Sequence, residues 1–427
     1  MNVTVIGMGK IGLPLAVNFA RNGASVTGLD NQVEVVDKIN KGIEPFPGEK
    51  YLSHYLEKCI TNSSLVATTN IKESLVNANV IVVCIPLIID SKGAPEFKSF
   101  DRLVNEIGKN VSVGTLICFE TTLPVGTTRS RFTPAIEAAS GLKIGKDFFV
   151  VFSPERVLTG RLFEDLRRYP KLVGGVTDEC TSRGVTFYES VLNFDSRYDL
   201  EKANGVWAMK NCDSAEFAKV AETTYRDVNI GLANEFAVFA ARRNIDIKEV
   251  IRASNSQPFS HIHSPGISVG GHCIPVYPKF YMWENEDSQI VKAARERNLD
   301  MPLRAIRQIK QEIGDLKDLR IGILGITYRS GIKETAFSGS FDLLRNLVSE
   351  GATVMGMDPF YSAKEIISFG FNSQVNLADL DGVIIHTDHK EFEEIDFNSL
   401  HRLKFLYDGR RSHAKWRDTE NFKYLTF

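Results

Sequence analysis

Hydrophobic and polar positions fall into two stretches of alternating strand and helix patterns on either side of a long helical region. In the first stretch the runs VTVIG, SVTGLD, SLVAT, VIVVCIP, TLICFETT, FFVVFSP and KLVGGV are short and almost continuously apolar. Such runs suit parallel strands, which crossover helices bury on both faces. From about Asp213 to Arg243 the period changes, with Phe217, Val220, Ala221, Thr224, Val228 and Leu232 recurring at helical spacing. That is too long for a crossover, and it predicts a helix connecting domains; a further helical stretch runs from about Ser288 to Gly314. Alternation resumes after Leu319 with RIGILGI, ATVMGMDP, GVIIHTD and KFLYDG, separated by helical patterns such as SFDLLRNLVSEG. In both stretches an apolar strand, a helix and a second strand ending in aspartate follow one another, with Asp30 in the first and Asp358 in the second.

The first strand and helix enclose a recognisable turn. Gly7, Gly9 and Gly12 form GxGxxG directly after VTVI and directly before LPLAVNFARNG, the context in which this motif binds a dinucleotide. Gly7 permits the tight turn, Gly9 lets the backbone approach a pyrophosphate, and Gly12 lets the helix lie close to its strand. The helix N-terminus turns its N–H groups toward the anion. Asp30 closes the second strand, where a carboxylate accepts hydrogen bonds from a ribose diol and repels a 2′-phosphate, so NAD is expected rather than NADP. The corresponding GILGITYRSG lacks the full fingerprint, which predicts a related fold with another ligand.

At 427 residues the chain is expected to hold two or three domains. The net charge of -2, with no dense basic cluster, argues against a nucleic-acid partner. The N-terminus enters a strand at once and no apolar run is long enough to span a membrane; a cytoplasmic protein without membrane contact is the expectation. The six cysteines form no CxxC pair and are expected to be reduced thiols. His261, His263, His272 and Cys273 could supply metal ligands, but their spacing matches no common zinc signature, and no metal is expected.

Three residues carry candidate chemistry. Cys273, in SPGISVGGHCIPVYP, lies in a stretch without helix or strand period, where a loop can expose a thiolate nucleophile. Lys219 shares a helical stripe with Thr223 and Arg226 in AEFAKVAETTYRDVN; this fits a solvated helix face, or an ammonium buried beside a reacting oxygen. Glu155, in VVFSPERVLTG, follows a strand end and could act as a base for water.

Taken in order, GMGKIGLPLA, ETTLPVGTT, SPERVLTG, EFAKVAETTYRDVNIGLANE, GGHCIP, LGITYRSGIKET and DGRR resemble the nucleotide-sugar dehydrogenase family, whose members include UDP-glucose and GDP-mannose dehydrogenases. The resemblance covers nearly the whole chain and is closest to the branch acting on UDP-N-acetylhexosamines. It implies an α/β fold of two Rossmann-like doubly wound domains joined by a long central helix. The expected domains are 1–205 for NAD, 206–315 for a central helical dimerisation domain carrying the lysine and the cysteine loop, and 316–427 for UDP. It further implies Cys273 as nucleophile, Lys219 as catalytic lysine, and Glu155 and Thr122 as handlers of hydrolytic water. Pro86 and Thr122 would join Gly7, Gly9, Gly12 and Asp30 at the cofactor. Arg156, Lys219, Gly271, His272, Tyr328, Arg329 and Arg411 would contact the UDP-sugar, in a homodimer or higher homo-oligomer.

The implied reaction is a four-electron oxidation of the sugar C6 alcohol to a uronate, through a thiohemiacetal and a thioester on Cys273, feeding surface polysaccharide or glycan synthesis. Three positions depart from the family pattern: Tyr277 replaces the usual aspartate four residues after the cysteine, Thr223 an asparagine, and Ala336 an arginine. A 6-phosphogluconate or β-hydroxyacid type of dehydrogenase needs neither GGHC nor a second Rossmann-like domain, and those two features decide against it. A non-catalytic nucleotide-sugar binder stays open as an alternative, although it would not need Cys273, Lys219 and Glu155 together. UDP-glucose also remains an alternative substrate.

Overall fold

The computed structural model describes residues 1–372 and 375–427, which form two compact units, Met1–Glu222 and Thr223–Phe427. The first unit is built on an eight-stranded sheet. Its strands are β1 (Asn2–Ile6), β2 (Ser25–Leu29), β3 (Leu65–Thr68), β4 (Val80–Val83), β5 (Leu116–Phe119), β6 (Phe149–Phe152), β7 (Lys171–Gly175) and β8 (Val206–Ala208). They lie in the order β3-β2-β1-β4-β5-β6-β7-β8. The first six are parallel, the arrangement of a dinucleotide-binding sheet. At β7 the direction reverses, and β8 runs parallel to β7.

Strands β4, β5 and β6 are buried at every residue, which is why their sequences are unbroken apolar runs rather than alternating ones. Helix α1 (Gly12–Arg21) buries all its residues except Asn18 and Arg21. Pro14 falls in its first turn, where a missing N–H costs no intrahelical bond. Two features escaped the sequence pattern: β8, three half-exposed or exposed residues long, and the hairpin Ile88–Ile89 with Pro95–Glu96.

Helix α2 (Cys212–Arg242) matches the expected connecting helix and runs from the first unit into the second. The stripe that marked it in the sequence is not a core stripe throughout. Val220 is buried, but Phe217 and Leu232 are 47% and 46% exposed, and Tyr225, Phe236 and Phe239 are exposed with them. Helix α3 (Gln289–Ile313) lies close to α2, because a Cβ on Gly231 would sit 2.9 Å from that of Ala294.

The second sheet holds β9 (Arg320–Leu324), β10 (Thr353–Met357), β11 (Gly382–Ile385), β12 (Phe405–Asp408) and β13 (Lys423–Leu425), all parallel in the order β10-β9-β11-β12-β13. Helix α4 (Ser340–Ser349) carries Leu343, Leu344 and Leu347 into its core. The two doubly wound sheets and the long helix agree with the expected fold class. No helix among the described residues is long and apolar enough to cross a membrane.

Candidate active site

At the end of β1, Gly7 adopts φ +90°, a conformation that strains any residue with a Cβ. A Cβ on Gly12 would lie 1.9 Å from the Gly7 carbonyl oxygen, whereas one on Gly9 would meet nothing within 4 Å. The helix is therefore pressed onto the turn on one side and the turn is open on the other, a cradle that fits a pyrophosphate. Asp30 is half-buried; its two oxygens accept from Met8 N and Gln32 N, each at 2.9 Å. A carboxylate has about four lone-pair sites, so capacity remains for a ribose diol. Pro86 is exposed just beyond β4, and Thr122 is buried just beyond β5. Both follow strand C-termini, where open α/β sheets bind their ligands.

Three charged groups converge where β5, β6 and β7 lie side by side. Lys171, the first residue of β7, donates to Glu120 Oε2 at 2.5 Å and also to Glu155 Oε1. Tyr188 donates its hydroxyl to Glu120 Oε1 at 2.5 Å. Burial pushes the Glu120 carboxyl up to about 8 despite the neighbouring ammonium. Burial also opposes the charge on Lys171, but the two carboxylates outweigh it and hold Lys171 above its ordinary value. Glu155, singled out in the sequence as a base for water, is thus the ion-pair partner of a lysine that the sequence did not bring forward. The available signal was local: a lysine opening a fully buried strand needs an anionic partner.

Lys219 is 7% exposed, so it does not lie on a solvated helix face. Its Nζ donates to Glu222 Oε1 at 3.1 Å, and Arg156 Nε donates to Glu222 Oε2 at 2.9 Å. Burial opposes the Glu222 charge, yet Lys219 and Arg156 hold its carboxyl below the usual range. One turn earlier on α2, Glu216 accepts from Gly126 N at 2.5 Å, Thr128 N at 2.9 Å and Thr128 Oγ1 at 2.7 Å. This pins the segment following Thr122 to the helix. Burial pushes the Glu216 carboxyl up to about 7.

In the second unit, Cys273 is the one exposed cysteine of the six. Its loop is shaped by two glycines under Tyr328: a Cβ on Gly270 would lie 2.5 Å from Tyr328 Cβ, and Gly271, at φ +97°, has Tyr328 Cε2 3.0 Å from its own Cβ position. Gly271 N donates to Ala336 O at 2.8 Å. Burial raises the Tyr328 hydroxyl, Arg329 opposes this, and Cys273 and Glu334 add to it. His272 Nε2 stands 3.5 Å from Glu334 Oε2. The structure therefore gathers Gly271, His272 and Cys273 with Tyr328 and Glu334, and Arg329 follows next to Tyr328 in the chain.

A buried polar chain holds that loop from behind. Asn234 Oδ1 accepts from Gly266 N at 2.9 Å, Asn234 Nδ2 donates to Asn298 Oδ1 at 2.8 Å, and Asn298 Nδ2 donates to Asp227 Oδ1 at 2.8 Å. Asp227 Oδ2 lies 3.2 Å from Arg295 Nε, and Arg295 Nη1 is 3.5 Å from Ile274 O, next to the cysteine. Arg411 is buried at φ +54°, with Nη1 3.3 Å from Asp246 Oδ1 and Nε 3.4 Å from Thr426 Oγ1. It is its neighbour Arg410 that reaches back, to His386 O at 2.8 Å and Tyr328 O at 3.4 Å. Among the described residues no group of three or more His, Cys, Asp or Glu side chains could hold a metal ion.

Comparison with known proteins places this geometry in context. The chain matches the UDP-glucose/GDP-mannose dehydrogenase family in its NAD binding domain over residues 1–192, its central domain over 213–300 and its UDP binding domain over 322–415. It is 32% identical to a UDP-N-acetyl-D-mannosamine dehydrogenase of Pyrococcus horikoshii, covering 96% of this chain and 95% of that protein. It is 31% identical to one of Campylobacter jejuni, covering 93% and 98%. A solved structure of UDP-D-ManNAc dehydrogenase from Pyrococcus horikoshii superimposes with a TM-score of 0.89 at 29% identity, covering 100% of this chain and 99% of the other.

Proposed function

Since the chain belongs to the UDP-glucose/GDP-mannose dehydrogenase family and is an NAD-dependent nucleotide-sugar dehydrogenase, we propose that it oxidises the C6 alcohol of a UDP-N-acetylhexosamine to the carboxylate through Cys273. The observation that carries this reading is the exposed thiol in a loop closed by Gly270 and Gly271 beneath Tyr328. The acetamido sugar is supported by the relatives, which are described as UDP-N-acetyl-D-mannosamine dehydrogenases.

Gly7, Gly9, Gly12, Asp30, Pro86 and Thr122 would hold NAD, which would supply the hydride acceptor for each of two successive oxidations. The rest falls to side chains. The Cys273 thiolate attacks the C6 aldehyde to give a thiohemiacetal, and loss of a hydride and a proton from that adduct leaves a thioester. Lys219 donates hydrogen bonds to the oxyanion at each tetrahedral stage. Glu155, the ion-pair partner of Lys171, orients the water that Thr122 holds; attack of that water on the thioester releases the uronate and returns the thiol. Arg156, Gly271, His272, Tyr328, Arg329 and Arg411 bind the UDP-sugar with Lys219.

In this reading residues 1–205 serve NAD and 316–427 serve UDP, and 206–315 carry a dimer contact. The exposed Phe217, Tyr225, Leu232, Phe236 and Phe239 on α2 support that contact, because so much apolar surface along one helix suits a partner. The product is a precursor for surface polysaccharide or glycan. The experiment is a panel of UDP-sugars with NAD, followed by NADH absorbance and product mass. Two NADH per sugar with one new carboxylate are expected, and Cys273→Ala should bind both ligands but form no uronate. Unchanged uronate formation by that variant would overturn the covalent scheme.

A further inference from the structure

Lys219 and Arg156 meet at one carboxylate. Glu222 follows Lys219 at i+3 on α2, which puts both on one helix face, and Arg156 approaches from the segment beyond β6. One Glu222 oxygen faces each cation, at 3.1 and 2.9 Å. The Lys219 side chain is 9% exposed, while Glu222 and Arg156 keep 27% and 30%, so the trio is buried at the lysine and open at the other end. In the second unit, the residue four places after Cys273 is Tyr277, which starts a short helix and stacks on Phe280 at 5.7 Å; it offers no carboxylate.

We propose that Glu222 is a positioning residue for the oxidation, clamping the Lys219 ammonium and the Arg156 guanidinium into one fixed pair of cations. A lysine ammonium on a flexible four-carbon stem has no preferred direction of its own. The hydrogen bond to Glu222 gives that ammonium one fixed place while the oxyanion develops. The same carboxylate fixes Arg156 through Nε while Nη1 reaches Pro170 O at 3.4 Å, which turns Nη2 to an anionic or hydroxyl oxygen of the substrate. This rests on the reading of Lys219 as the oxyanion cation.

The test compares Glu222→Gln, Glu222→Asp and Lys219→Ala in the full chain, with NAD and UDP-N-acetylmannosamine carrying deuterium at C6. Glu222→Gln keeps the shape but turns a donor toward a cation; kcat should fall on the order of 10- to 100-fold, as small misplacements of catalytic groups do. The isotope effect on kcat should rise because hydride transfer becomes slower, while NAD affinity and the unfolding midpoint stay near wild type. Glu222→Asp, which keeps the charge but is one methylene short, should fall between the two. An inactive Lys219→Ala beside a fully active Glu222→Gln with an unchanged isotope effect overturns the positioning role alone. A fully active Lys219→Ala overturns the reading of the lysine itself. If Glu222→Gln fails to fold, a Glu222→Asp variant with wild-type kcat and isotope effect still refutes the clamp.

Discussion

Replacing Asp227 by leucine removes the counter-charge of a guanidinium that has almost no water of its own. The Asp227 side chain is 0% exposed and that of Arg295 is 5% exposed, with the two groups 3.2 Å apart. Burial raises the Asp227 carboxyl and lowers the Arg295 guanidinium, so at both ends desolvation outweighs the attraction that Arg295 and Asp227 exert on each other. A pair of this kind adds little net stability, but breaking it costs about 3–5 kcal/mol because one charge stays buried and uncompensated. Asn298 Nδ2 also loses Asp227 Oδ1 at 2.8 Å; its second bond, to Asp227 O at 3.0 Å, survives, so the added cost is about 1 kcal/mol. The expected total of about 4–6 kcal/mol is a large part of the ~5–15 kcal/mol that keeps a domain folded.

Urea unfolding followed by circular dichroism measures this, with the transition of the second unit resolved from that of the first, since a chain of two units need not unfold in one step. The double variant Asp227→Leu/Arg295→Met carries apolar groups in place of both charges and should recover most of the loss. It should nonetheless turn over more slowly than wild type if Cys273 is the nucleophile we propose, because Arg295 also reaches Ile274 O next to it. A single variant costing less than about 1 kcal/mol, or a double variant no more stable than the single, would refute the argument that buried charge dominates here.

Gly12→Ala should abolish NAD binding, measured by fluorescence titration, since its Cβ would fall 1.9 Å from Gly7 O; binding within about twofold of wild type would contradict the cradle. Glu216 and Glu120, pushed up to about 7 and about 8, hold protons that the unfolded chain gives up near its ordinary carboxyl range. Their contribution is full at low pH and is lost as pH rises through those values, so the melting temperature of the first unit should fall between pH 5.5 and 8.5 more steeply than in Glu120→Gln. UDP-N-acetylhexosamines should exceed UDP-glucose in kcat/KM, because a site that pairs an acetamido group leaves buried polar groups unpaired with a 2-hydroxyl; equal values would defeat the substrate assignment.

What could be read from the sequence was what is local. The runs VIVV, LICF and FVVF are buried at every position, and the limits of α2 and α3 fall within a residue or so of their periodic segments. The turn of Gly7, Gly9 and Gly12, and the place of Asp30 directly after its strand, depend on neighbours along the chain. The cluster of Glu120, Glu155 and Lys171 does not: it exists because β5, β6 and β7 are adjacent in the sheet. β8 and β13, each three residues long, were too short to show a period. On α2 the periodic apolar residues include both buried Val220 and exposed Phe217 and Leu232, because helical periodicity reports that a face is apolar and not which neighbour covers it.

The echo between the two halves shows how one fold comes to serve two ligands. Gly7 N donates to Leu29 O at 2.8 Å, and Gly325 N donates to Met357 O at 2.7 Å, so the strand-to-strand turn is built alike in both units. The aspartate that follows is used differently. Asp30 keeps acceptor capacity, while Asp358, 4% exposed, accepts from Ile326 N, Thr327 N and Thr327 Oγ1 on Oδ2 and from Phe360 N on Oδ1, with His389 Nε2 at 3.2 Å. A carboxylate buried to 4%, with one oxygen filled by protein donors, does not offer two oxygens to a ribose diol. The helix differs too: α1 begins at Gly12, close behind Gly7, but α4 begins only at Ser340, well beyond Gly325. The start of α4 folds back onto the second turn through its side chain, with Ser340 Oγ donating to Ile326 O at 3.0 Å beside Ser338 Oγ at 2.7 Å. The intervening segment carries Tyr328, Arg329 and Glu334 to the Cys273 loop instead. Lengthening the connection after the first strand, and closing its aspartate with protein donors, turns the counterpart of a dinucleotide seat into a support for the Cys273 loop.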